Sequence, residues 1–250
     1  MLLAEPTDQI MANLVPSWAC LNRREERLRR IYDALLSALA PNIICEVGAF
    51  NGDETQRFHT LSPDSDFYLF EANKKNVSQF LLGNPTLANH PRTVIEHVAV
   101  SDAPGELEFN VLDADEVASD WRRAASSMLQ RGDGLPSRAE KVTAITLDGY
   151  FDKQLAAGDA SFALWIDVEG VLDKVLDGAT RVLERTVLLR AEIEWEEVWR
   201  GQKLGQDSKD FLEGLGFCLV GDSFTPESHN QSDIVYIRNN ALNLVEPASW

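Results

Sequence analysis

Ile43-Ile44-Cys45-Glu46-Val47-Gly48-Ala49-Phe50-Asn51-Gly52 is the stretch on which the fold turns. Its first five residues read as a short buried strand, and Gly48 bounds it. A helix is expected directly after, over residues 53–60. A strand that turns on glycines into a helix is the repeating unit of an open α/β sheet. Such sheets bind ligands beyond the carboxyl ends of their strands.

Working outward, Leu28, Ile31, Tyr32, Leu35, Leu36 and Leu39 recur at spacings of three and four. That is one face of a helix over residues 23–39, which Pro41 ends. Downstream, apolar runs predict strands at 67–70, 94–100, 106–111, 141–147, 162–168, 186–193, 217–220 and 234–237. Helical periods fall at 74–82, 172–183 and 209–215. Apolar strands separated by helices predict a mainly parallel sheet covered on both faces. The closely spaced final pair supplies an antiparallel strand at one edge. The polar stretch 113–140 is long for a plain connection and reads as a lid or binding loop. The expected organisation is an N-terminal helical cap over residues 1–40 and one α/β domain over 41–250.

The chain has 250 residues and a net charge of −17, from 40 acids against 23 bases. That balance argues against a nucleic-acid partner, which would need Lys and Arg contacts to phosphate. It leaves room for a neutral or cationic small molecule. Three widely spaced cysteines, Cys20, Cys45 and Cys218, read as free thiols of a reducing compartment. With no basic, apolar leader and no run of about 20 apolar residues, a cytoplasmic protein that does not enter membranes is expected.

Strand ends then select the candidate residues. Glu46-x-Gly48-x-x-x-Gly52 has neither the GxGxxG nor the GxxxxGK spacing. A dinucleotide or triphosphate is disfavoured, and Glu46 suits a ligand carrying an ammonium group. An ordinary strand-to-helix turn is the plain alternative. Glu71, 25 residues on, ends the next strand, where a carboxylate can accept from a ribose diol. Ala99 and its neighbours can floor an adenine pocket, with Asp102 accepting from the exocyclic amine.

Taken in order, these motifs resemble the FkbM family of methyltransferases. The series is Glu46-Val47-Gly48-Ala49-Phe50-Asn51-Gly52, Phe70-Glu71-Ala72-Asn73, Ala99-Val100-Ser101-Asp102, Ser126-Ser127-Met128 and Thr146-Leu147-Asp148. Trp165-Ile166-Asp167-Val168-Glu169-Gly170, Val175-Leu176-Asp177-Gly178-Ala179 and Asp233-Ile234-Val235-Tyr236 complete it. The match covers about residues 42–238. The resemblance implies a class I methyltransferase, Rossmann-like sheet and an S-adenosylmethionine cofactor. It also implies methylation of a hydroxyl on a sugar or another small molecule. By position, Gly48, Asn51 and Gly52 would line the methionine part, with Ala49 and Phe50 beside them in the loop. Glu71 and the adjacent Ala72 would meet the ribose, Ala99 the adenine, and Ser126 and Ser127 would close over the cofactor. The chain departs from the family's usual pattern at Glu46 (commonly Asp), Ala72 (Pro), Trp165 (Lys) and Val171-Leu172 (Ala-Glu).

Methyl transfer to oxygen needs a positioned alcohol and a base for its proton. Asp167 is the expected base, with Glu169 acting beside it. The pair has equally the oxygen chemistry to hold a divalent cation, and Asp167 alone has that of a helix cap. Glu192 and Glu194 share one face of the next strand and, with Asp167, predict an acidic pocket floored by Trp195 and Trp199. His229 is the best-placed histidine, as base or metal ligand. Two other readings stay open, an NAD-dependent Rossmann oxidoreductase or epimerase and a non-catalytic S-adenosylmethionine-binding protein. Residues 1–40 are candidates to contact the acceptor or a second subunit.

Overall fold

The computed structural model describes residues 17–112, 124–225 and 230–245. Helix α1 (Ser17–Leu39) leads into β1 (Ile43–Val47), α2 (Asp53–Leu61) and β2 (Asp66–Glu71). Next come α3 (Lys74–Asn76), which runs into a π-helical segment Val77–Leu81, and α4 (Pro85–Ala88). Strands β3 (Thr93–His97), β4 (Ala99–Val100), β5 (Gly105–Leu112) and β6 (Ser137–Ile145) follow. After α5 (Leu147–Tyr150) and α6 (Asp152–Ala157), β7 (Phe162–Ile166) returns to the centre. Then come α7 (Leu172–Asp177), α8 (Thr180–Arg185), β8 (Thr186–Glu194), α9 (Gly205–Gly214), β9 (Phe217–Asp222), β10 (Gln231–Arg238) and a 3-10 helix, Asn239–Leu244.

Seven strands form one sheet in the order β3-β2-β1-β7-β8-β10-β9. The pairs from β3 to β8 are parallel, and β10 runs antiparallel to both neighbours. The antiparallel strand expected at the edge is therefore penultimate, and β9 takes the edge. Strands β1 and β7 are buried at every position. This is why they read as continuous apolar runs rather than alternating ones.

Strand alternation sorts the core onto two faces. Ile44, Trp165, Leu188 and Val235 face α1, which contributes Leu28, Tyr32, Leu35 and Leu36 to the same cluster. Cys45, Leu164, Leu189 and Ala191 face the other way, onto Leu172, Val175, Leu176 and Leu183. Helix α1 stops where Ala40 turns to a positive φ of 41° and its N–H bonds back to Leu36, one residue before Pro41.

Two periodic runs are broken where the sequence shows continuity. The run 94–100 divides at Val98: β3 stays in the large sheet, while β4 joins β5 and β6 in a second sheet of order β4-β6-β5. The run 172–183 divides at Gly178, where an added Cβ would lie 2.0 Å from the Ser101 carbonyl oxygen. The Asp148 carboxylate then accepts from the backbone N–H groups of Arg181 and Val182, starting α8 afresh. Among the described residues, no helix is long and apolar enough to cross a membrane.

Candidate functional site

A cavity of about 300 Å³ opens at the carboxyl ends of β1, β2 and β7. It is lined by the loop from Glu46 to Asn51, by Glu71 and Ala72, by Ala99, by Ser126 and Ser127, and by Asp167 and Glu169. Gly48 makes this shape. Its φ is +81°, its N–H donates to the Phe70 carbonyl at 2.9 Å, and a Cβ would stand 1.9 Å from the Asp167 carbonyl oxygen. The loop after β1 thus passes directly over the chain leaving β7. Phe50 also holds a positive φ, 42°, and its N–H donates to Glu71 Oε2 at 2.8 Å. Asn51 lines the cavity while its side-chain amide donates to Asp53.

Two expected positions fall elsewhere. Gly52 is outside the cavity, and its missing Cβ makes room for Leu87 and Leu81 at 2.4 and 3.0 Å. Its φ of +71° serves helix packing behind the loop rather than a ligand. Asp102 is also outside, on the surface. It accepts from Ser101 Oγ at 2.9 Å and from Lys174 Nζ at 3.5 Å, and the Ser101 bond in particular holds its carboxyl below the usual range.

Glu46 and Glu71 are buried. Glu46 accepts from the Thr55 backbone N–H at 3.0 Å and from the Thr55 hydroxyl. Burial pushes its pKa up to about 8, so it is largely neutral at pH 7 unless a cation joins it. Glu71 accepts from the N–H groups of Phe50 at 2.8 Å and Asn73 at 2.6 Å. Burial outweighs those bonds and raises its pKa too. The far wall is anchored from β5. Ser126 Oγ accepts from the Leu112 N–H at 3.3 Å, and Ser127 Oγ donates to the Glu169 carbonyl at 2.6 Å.

Asp167 follows β7 and is held by an ion pair, with Arg190 Nη1 3.0 Å from its Oδ2. It does not cap α7, whose N-cap position is Val171, with no side-chain cap. Arg190, on β8, also pairs with Asp233 of β10, and its guanidinium carbon lies 4.3 Å from the Trp165 ring centre. Neither Arg190 nor Trp165 was expected at the site. A charge inside the strand run Leu188-Leu189-Arg190-Ala191 was the signal for the first.

Glu169, Glu192 and Glu194 each bring a carboxylate oxygen within 4.8 Å of the others. Glu169 accepts from the Trp199 indole N–H at 3.1 Å, and Glu194 accepts from the Gly170 N–H at 2.7 Å. Burial, reinforced by Asp167 and Glu194, pushes the Glu169 pKa up to about 8. Burial likewise lifts Glu194 to about 7 and holds Glu192 well above the carboxylate range. The expected acidic pocket exists, but only one of its two tryptophans supports it. Trp199 is buried beneath Gly170 and bonded to Glu169, whereas the Trp195 indole N–H turns to Ser232 Oγ at 2.9 Å. Glu192 lines a second, adjoining cavity of about 640 Å³ between α1 and the sheet. His229 lies outside the described residues.

Comparison with known proteins adds a family. The model of the methyltransferase FkbM domain matches residues 34–219. A 2-O-methyltransferase, NoeI, of Sinorhizobium fredii (strain NBRC 101917 / NGR234) is 24% identical over 169 residues, covering 64% of this chain and 66% of the relative. The chain thus spans just under two thirds of the length of that curated relative. Among solved structures, a precorrin-6y C5,15-methyltransferase from Geobacter metallireducens GS-15 is 13% identical with a TM-score of 0.42, covering 84% of this chain and 88% of that one. The N-terminal domain of EvdMO1 with SAH bound is 10% identical with a TM-score of 0.45, covering 85% and 79%.

Proposed function

The chain belongs to the methyltransferase FkbM domain family, and from that premise we propose that it transfers a methyl group from S-adenosylmethionine to a hydroxyl of a small molecule of the sugar or natural-product type. The observation that carries this reading is one cavity holding both a suitable cofactor lining and a half-buried acid whose pKa is pushed up to about 8.

The lining suits the cofactor's chemistry. Glu71 lines the cavity at the end of β2, where its carboxylate can accept from a ribose diol. Ala99, Val100 and Phe109 give a flat apolar wall for adenine. Glu46 is a buried carboxyl that an ammonium group would ionise. When bound, S-adenosylmethionine supplies a methyl group on a positively charged sulfur. Glu169 accepts the acceptor's hydroxyl proton on its carboxylate, which the Trp199 indole holds in place. Asp167, oriented by Arg190, accepts a hydrogen bond from the incoming hydroxyl and aligns it. Burial around Glu169 excludes water that would compete for the proton. The set of Glu169, Glu192 and Glu194 then acts as a proton store. Its oxygen ligands also suit a divalent cation, a second role that the assay below separates.

The test is transfer of labelled methyl from S-adenosylmethionine to a panel of mono- and oligosaccharides, with and without EDTA. A methyl ether formed equally in both conditions is the expected product. Loss of transfer with EDTA would give the carboxyl set to a metal. Label on nitrogen or carbon alone would overturn the hydroxyl assignment.

A further inference from the structure

The second cavity lies on the face of the sheet that α1 covers and shares Arg29, Trp165 and Arg190 with the first. Glu192 lines the second cavity and brings an oxygen within 4.8 Å of one on Glu169, which lines the first. The second cavity's charges are unbalanced: Glu25, Glu26, Glu192 and Asp233 line it against Arg29 and Arg190. Both arginines already carry ion pairs, while Arg190 Nε has no hydrogen-bond partner among the described residues. Arg190 is paired with Asp167 and Asp233, and Arg29 lies 3.0 Å from Glu54.

Among the acids that line this cavity, Glu192 is the one left incomplete. Its Oε2 accepts from the Gln231 side-chain amide at 2.7 Å, whereas its Oε1 is buried with no hydrogen-bond partner among the described residues. A buried carboxyl oxygen without a donor is costly. A neutral hydroxyl would supply a hydrogen bond but would not offset the acid-rich lining. A protonated amine does both. An anionic group would meet four carboxylates.

Resting on the reading of the first cavity as the methyl-transfer site, we propose that the acceptor is an amino alcohol whose ammonium group binds Glu192 while the neighbouring hydroxyl meets Glu169. The spacing supports a short separation between the two groups. The Glu192 and Glu169 oxygens lie within 4.8 Å. An amine and a hydroxyl on adjacent carbons bridge such a gap with one hydrogen bond of about 2.8 Å to each acid. Amino sugars and amino polyols carry this pairing.

The test is calorimetric titration of the S-adenosylhomocysteine-loaded protein at pH 7 with D-glucosamine, D-glucose and D-glucuronate. Glucosamine is expected to bind at least about tenfold more tightly than glucose, the margin of a charge-assisted over a neutral hydrogen bond, and glucuronate not to bind. Glu192→Gln should erase that preference and leave S-adenosylhomocysteine affinity unchanged, which also reports that the variant folds. Should the variant not fold, the wild-type ranking of the three sugars decides alone. Equal binding of glucosamine and glucose, a preference that survives Glu192→Gln, or no binding of either sugar overturns the proposal. Loss of S-adenosylhomocysteine binding by the wild-type protein would instead overturn the reading of the first cavity.

Discussion

Glu169→Gln is expected to lower the transfer rate by about 10²–10⁴-fold, the usual contribution of a positioned general base, with little change in cofactor affinity. Glutamine keeps the Trp199 hydrogen bond but cannot take a proton. The same account fixes the pH profile. Glu169 works only when ionised, and its pKa is pushed up to about 8. The rate should therefore rise as pH climbs towards about 8, by close to tenfold per unit on the acid side, and level off above it. Because three carboxyls lie within 4.8 Å, the inflection belongs to the set. An unchanged rate in Glu169→Gln would remove the base from the mechanism, and a profile flat from pH 6 to 9 would remove its titration. The arrangement also carries a stability cost. A carboxyl whose pKa is raised above its ordinary value by folding stabilises the protein when protonated, and that contribution fades as pH rises through about 8. The base is thus ionised under conditions where the fold no longer gains from it.

Gly48→Ala should be the most damaging single change in the cofactor loop. The added Cβ would sit 1.9 Å from the Asp167 carbonyl oxygen, at a φ of +81°. Overpacking of this kind costs about 1–3 kcal/mol, and a non-glycine residue in left-handed backbone adds about 1–3 kcal/mol. Against a typical total of about 5–15 kcal/mol, denaturant melts should show a large fall in midpoint. Relief of the clash would also part the carboxyl ends of β1 and β7, so S-adenosylhomocysteine binding should be lost even where the variant stays folded. Gly214→Ala, with nothing within 4 Å of the added Cβ, serves as the control and should change stability by less than about 1 kcal/mol. Equal midpoints for the two variants would contradict the crossing of the two strand ends.

The central sheet was legible because β1, β2, β7 and β8 lie deep in the sheet and carry mostly apolar residues. The order of strand-end motifs then located the cavity. What stayed hidden depends on contacts between distant residues. The division of residues 94–100 reflects which sheet each half pairs with, β2 for one and β6 for the other. Local hydropathy does not encode that choice. The break at Gly178 comes from its approach to Ser101. Gly48 and Gly52 look alike in sequence, yet one lines the cavity and the other packs on leucines. Asp102 follows a strand whose last residues turn into the second sheet, which leaves its carboxyl outside. Arg190 and Asp233 sit on adjacent strands, and only their pairing reveals the ion network that holds Asp167.

The most direct measurement of the central claim is calorimetric titration of the purified chain with S-adenosylhomocysteine and, separately, with NAD. One molecule of S-adenosylhomocysteine per chain, with no heat from NAD and with affinity reduced by Glu71→Ala, is the result this account expects. Binding of NAD, or failure of S-adenosylhomocysteine to bind the wild-type chain, would contradict it.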